Sequence, residues 1–171
     1  NITVKPGWFD DVRSKFSSNN ILHITLLQPR YFKEDEITSL RRQIESVIKN
    51  HTFTNIDKEL NFSSRRIEID LNDKYILMAF IERNTKIESL QKALVSELSK
   101  YNQYCDESTI DYERNFNPHL TIADQIELDE EERKRFAQEP FTLKGVIQDL
   151  VFAVVNDQTV SEIENPDNWM A

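Results

Sequence analysis

The chain holds three histidines, and two of them share a frame: His23-Ile24-Thr25-Leu26 and His119-Leu120-Thr121-Ile122. The third, His51, precedes Thr52-Phe53 and does not fit. From average composition, apolar-Thr-apolar follows a histidine roughly one time in a hundred. Two of three doing so is hard to reach by chance. On a strand, residues i and i+2 point to the same face. Each motif then presents an imidazole and a hydroxyl side by side, while Ile24 and Leu26, or Leu120 and Ile122, turn into a core. Two such strands facing each other would line a cleft with two imidazoles and two hydroxyls.

That set suits displacement at phosphorus. An unperturbed imidazole titrates near pH 6.5, so a pair can act as general base and general acid near neutrality. The reaction needs a base on the attacking oxygen, an acid on the leaving oxygen, and donors for the charge on the non-bridging oxygens. His23 and His119 fill the first two roles and are the candidate catalytic residues; Thr25 and Thr121 fill the third. A pair of core histidines would explain neither the repeat nor the threonine at i+2. Zinc is a poor fit, because no third ligand stands at a suitable spacing. The single cysteine, Cys105, excludes an internal disulfide and a cysteine-based zinc site and reads as a buried or half-buried thiol. For this chemistry a metal is optional if the attacking water is well placed, and no cofactor is expected.

Three residues after the first motif are further candidates for binding substrate. Arg30 could reach a phosphate, and Tyr31 or Phe32 could stack on a base. The competing reading is that the aromatics staple this loop to the core. Arg65-Arg66 and Arg114 are weaker phosphate candidates, with plain surface exposure the alternative. His51 follows a helix ending at Lys49-Asn50, where a cation favours the helix dipole, so a capping or surface role is expected.

The elements that must position these residues follow from periodicity. Ile2 to Val4 reads as a strand and Pro6 to Phe16 as a helix. Asn19-Asn20 marks a turn before a strand over Ile21 to Leu27, which Pro29 ends. Asp35 to Lys49 carries Ile37, Leu40, Ile44, Val47 and Ile48 at helical spacing. A strand is allowed from Phe53. Arg66 to Leu71 alternates as a half-buried strand, Asn72-Asp73 turns it, and Tyr75 to Ile81 returns. Lys86 to Tyr101 is a helix with Ile87, Leu90, Leu94 and Leu98 inward. A strand over Phe116 to Ala123 and a helix over Asp129 to Gln138 follow. The acidic run from Glu127 to Glu132 suits that helix's N-terminus. Strands are expected at Phe141 to Leu143, Val146 to Val155 and Thr159 to Ile163, with turns at Gly145 and Asn156-Asp157. Helices mixed with hairpins favour an α+β fold with largely antiparallel sheets over a doubly wound one. The repeated motif suggests two lobes.

Composition narrows the function further. The 171 residues carry a net charge of -9, which argues against sequence-independent binding to duplex nucleic acid. A small basic pocket for one phosphate or a short strand remains compatible with it. Two glycines cannot build a dinucleotide or P-loop phosphate cradle. No apolar run is long enough to span a membrane. The N-terminus shows no export-signal pattern, so a cytoplasmic protein is expected.

The paired motifs in their settings, Leu22 to Pro29 (LHITLLQP) and Phe116 to Ala123 (FNPHLTIA), resemble the two-histidine phosphoesterase superfamily. That group includes 2′-5′ RNA ligase-like proteins and phosphodiesterases of 2′,3′-cyclic nucleotides and 2′-5′ oligonucleotides. The resemblance covers nearly the whole chain and includes Pro118 before the second histidine. It implies a single bilobal α+β domain over residues 1–171, with two mostly antiparallel sheets, flanking helices and a pseudo-two-fold central cleft. It also implies metal-independent hydrolysis of a nucleotide 2′,3′-cyclic phosphate or a 2′-5′-linked oligonucleotide, with His23 and His119 catalytic. The alternative is a nucleotide- or RNA-end-binding module without turnover. Asp124 departs from the pattern, since many relatives carry a basic residue there. With the acidic chain, it favours a nucleotide or short oligonucleotide over long RNA, and a monomer is expected.

Overall fold

The computed structural model describes residues 13–14, 22–52, 60–64, 66–70, 76–123, 128–132, 134, 143–147 and 150–153. The fold is α+β. The chain divides into two compact units, one drawn from residues 1–24, 61–82 and 118–149, the other from 25–60, 83–117 and 150–171.

The first unit is built on strands. β1 (Leu60–Ser64), of which only Leu60 falls outside this unit, pairs with β5 (Leu143–Ile147). β2 (Arg66–Asp70), β3 (Ile76–Phe80) and β4 (His119–Ala123) form a three-stranded antiparallel sheet with β3 in the middle. The period-2 alternation sets the register, because a slip of one residue would turn the apolar set to the wrong face. Ile67 faces Ala79, Ile69 faces Leu77, and Ala79 faces Leu120. Leu77, Ala79, Leu120 and Ile122 are wholly buried. A register irregularity between Leu77 and Met78 brings Ala123 opposite Leu77. It explains why Ile122 and Ala123 are both buried despite being adjacent. The Ile81 amide donates to the Pro118 carbonyl at 2.8 Å, and the Glu82 amide to that of Ser63 at 2.7 Å, extending the ties beyond the strands.

The second unit is built on helices. α1 (Ile37–Thr52) and α2 (Thr85–Glu97) pack through Leu40 and Ile44 against Leu90, Leu94 and Leu98. Leu26, Leu27 and Phe32 pack against the same core, so it anchors the chain that follows the first motif. α2 starts where Asn84 caps it, its side-chain oxygen accepting from the amides of Lys86 at 3.0 Å and Ile87 at 3.2 Å. A single 3₁₀ turn (Glu34–Glu36) leads into α1, and another (Glu107–Thr109), capped by Asp106, leads into a short α3 (Ile110–Arg114). Asp129 and Glu132 exchange backbone and side-chain hydrogen bonds as a capping box, opening a helix seen at residues 130–132 and 134.

Several expected elements change. Leu22 to Leu26 is not assigned to a strand, and every residue from Leu22 to Arg30 is half-buried with no alternation. Gly145 is not a turn: it lies buried inside β5, where the absence of a Cβ permits close approach. Residues 150–153 are likewise outside any strand. β1 and α3 went unforeseen. The expected elements at Ile2 to Val4 and Thr159 to Ile163, the turns at Asn19-Asn20, Asn72-Asp73 and Asn156-Asp157, and Arg65 and Asp124 lie outside the described residues. Of the Pro6 to Phe16 helix, Arg13 and Ser14 are described, and both are helical.

Candidate functional site

The second motif sits as expected. His119 and Thr121 are half-buried on one face of β4, and Leu120 and Ile122 are wholly buried on the other. The cross-strand register extends that face sideways. His119 pairs with Phe80, which pairs with Arg66, so the three occupy one row across the sheet. In the next row Thr121 pairs with Met78, and Met78 with Glu68. The rings of His119 and Phe80 lie 5.8 Å apart at 52°. The Arg66 guanidinium carbon sits 4.3 Å from the Phe80 ring centre, a cation–π contact. Arg66 Nε is also 3.0 Å from Glu68 Oε1, and both side chains are about half exposed. Phe80 looked from sequence like one more member of an apolar run. Its placement beside His119 depends on the register of β3 on β4, which carries an irregularity between Leu77 and Met78 that the pattern of neither strand encodes.

The first motif is at a boundary. His23 falls in the first unit and Thr25 in the second, and both are half-buried.

The residues after it separate into different roles. Arg30, the candidate phosphate contact, is turned into the protein. Its side chain is 5% exposed, and the guanidinium forms an ion pair with Glu113 and donates from Nη1 to the carbonyls of Leu98 at 2.9 Å and Tyr101 at 3.2 Å. It also stacks 4.7 Å from the Tyr104 ring centre. Glu113, 2% exposed, accepts from the Gln28 amide at 3.2 Å, and its own carbonyl accepts from Gln91 at 3.2 Å. This buried knot ties the chain just past the first motif to α2 and α3. The planar guanidinium spreads its donors over Glu113 and two carbonyls while its face meets Tyr104. Phe32 is also spent inside, edge-on to Tyr101 and stacked on Phe152; this is the stapling role. Tyr31, by contrast, is 44% exposed, with its amide donating to the Gln103 carbonyl at 2.9 Å.

The other candidates have local roles. His51 Nδ1 lies 3.1 Å from the Val47 carbonyl one turn back, at the exposed C-terminus of α1. Arg114 is exposed and 3.8 Å from Asp111. Burial pushes the Cys105 thiol up, away from the thiolate. Burial also raises Tyr104, helped by the nearby Glu113 charge, and pushes the Tyr112 hydroxyl up to about 12. Among the described residues, no three His, Cys, Asp or Glu side chains are grouped to hold a metal ion. None of the described helices is long and apolar enough to cross a membrane.

An α+β chain with a duplicated His-x-Thr frame, one copy on a sheet face backed by core, has the features of a two-histidine phosphoesterase. A family comparison gives the finer assignment: the chain belongs to the 2′-5′ RNA ligase superfamily, whose model matches residues 7–158, within the two-histidine phosphoesterases. A search of curated proteins finds no match.

Proposed function

We propose that the protein is a phosphodiesterase that needs no metal and hydrolyses nucleotide 2′,3′-cyclic phosphates or 2′-5′-linked oligonucleotides. The observation that carries this reading is the β4 arrangement in a chain of this family: an imidazole and a hydroxyl on one accessible face, fixed by Leu120 and Ile122 behind them. In the proposed reaction one histidine takes a proton from the attacking water as its oxygen bonds to phosphorus. The other gives a proton to the leaving ribose oxygen as that P–O bond breaks. Thr25 and Thr121 donate hydrogen bonds to the non-bridging oxygens, where charge develops. Tyr31 is the exposed aromatic next to the first motif and is assigned to stacking on the base. The site is suited to a nucleotide or a short oligonucleotide, given the chain's acidity.

The test is a substrate panel of 2′,3′-cyclic mononucleotides and 2′-5′ and 3′-5′ adenylates, each with and without chelator. Product from a cyclic or 2′-5′ substrate that persists in chelator supports the reading. Tight binding of a nucleoside monophosphate with no product after long incubation would replace it with a binding module.

A further inference from the structure

The sheet face that presents His119 and Thr121 also presents groups for which acid–base chemistry has no use. Arg66 lies two strands from His119 in the same row, with Phe80 between them. Strands are spaced about 4.8 Å apart, so the two backbone positions are about 10 Å apart, a span that one nucleotide unit can bridge. Arg66 is held in place by two contacts rather than ranging through solvent. Phe80 supports the flat side of the guanidinium, and Glu68 engages Nε. Both NH₂ groups lie beyond Nε, and a planar fork of that kind matches two phosphate oxygens.

Resting on the phosphodiesterase reading, we propose that Arg66, stacked on Phe80, is a second phosphate subsite that selects substrates with a phosphate beyond the scissile one. The preferred class is then a 2′-5′-linked oligonucleotide with a further phosphate, over a cyclic mononucleotide. Glu68 has two effects here. It orients Arg66, and its charge competes with an incoming phosphate. The competition is mild, since an ion pair this exposed is weak. Met78 separates Glu68 from Thr121 in the next row, so the carboxylate is not adjacent to the scissile group. The rival explanation is that β2 is an edge strand and carries charge only to discourage strand pairing.

The experiment measures affinity of the full chain for two non-hydrolysable ligands, adenosine monophosphate and a 5′-phosphorylated 2′-5′ diadenylate phosphorothioate. Arg66→Ala should weaken the diadenylate by about 10-fold and leave the monophosphate nearly unchanged. Glu68→Gln should tighten the diadenylate by about 2- to 3-fold, in the opposite direction. An unchanged ratio of affinities in Arg66→Ala, weaker binding in Glu68→Gln, or no binding of either ligand by the wild type would overturn the proposal. Turnover is read separately on hydrolysable substrates. The expected affinity ratios without product would remove the phosphodiesterase reading and leave the subsite. Product with no change of ratio would do the reverse.

Discussion

Replacing Glu113 by Gln keeps the shape of the buried knot and removes its negative charge. Arg30 and Glu113 have side chains 5% and 2% exposed, so water cannot re-solvate the guanidinium left behind. Removing one partner of such a pair costs about 3–5 kcal/mol, against a total stability of about 5–15 kcal/mol. For a chain of this size the melting temperature should fall on the order of 10 °C. The double variant Arg30→Met with Glu113→Leu removes both charges and should recover much of the loss. It should not recover all of it, because the Gln28 amide loses its acceptor and the Leu98 and Tyr101 carbonyls lose their donor, and a stranded buried group costs about 1–3 kcal/mol. The assay is denaturant unfolding of wild type, Glu113→Gln, Arg30→Met, Glu113→Leu and the double variant, the wild type and the last three forming a double-mutant cycle. Glu113→Gln within about 0.5 kcal/mol of wild type would refute the buried pair, since changes that small are typical of surface sites. Arg30→Met that unfolds normally but raises KM would show that Arg30 binds substrate after all.

Three further outcomes are expected. The folded state holds the Tyr112 proton up to about pH 12, against about 10 when unfolded; this contribution is complete below pH 10 and is lost between about 10 and 12. It amounts to something on the order of 2 kcal/mol, and Tyr112→Phe should flatten that alkaline fall in unfolding free energy. Tyr104 also moves up, so part of the slope should remain. Asn84→Ala removes the acceptor for two amides at the start of α2 and should cost about 1 kcal/mol, whereas Asn84→Asp should hold stability; equal loss in both would mean that the cap is not what matters. If His23 and His119 act as base and acid, kcat/KM on a diester substrate should trace a bell against pH, and a flat profile would count against the pair.

The paired motifs and the α+β class were legible because they rest on local rules. The register of β2 on β3 was not legible in the same way. A two-residue turn on Asn72-Asp73 would set Arg66 opposite Ala79, whereas Arg66 pairs with Phe80. β1 was hidden because Leu60–Ser64 places two serines in a short strand. Ser64 is wholly buried, but its hydroxyl donates to the Arg66 carbonyl at 3.1 Å, so a polar residue is satisfied in a core position. The buried setting of Arg30 was hidden for a related reason. A loop arginine beside a catalytic motif looks like a ligand until its acceptors are known, and Glu113, Leu98 and Tyr101 are 68 or more residues away in sequence.

The central claim is that two histidines perform phosphodiester chemistry without a metal. Its most direct test is single-turnover hydrolysis of a 2′,3′-cyclic or 2′-5′ substrate in excess chelator by wild type, His23→Ala and His119→Ala, with folding confirmed for each. Product is expected from wild type, with a loss of rate by orders of magnitude in both variants. Full activity in either variant, or wild-type activity abolished by the chelator, would contradict it.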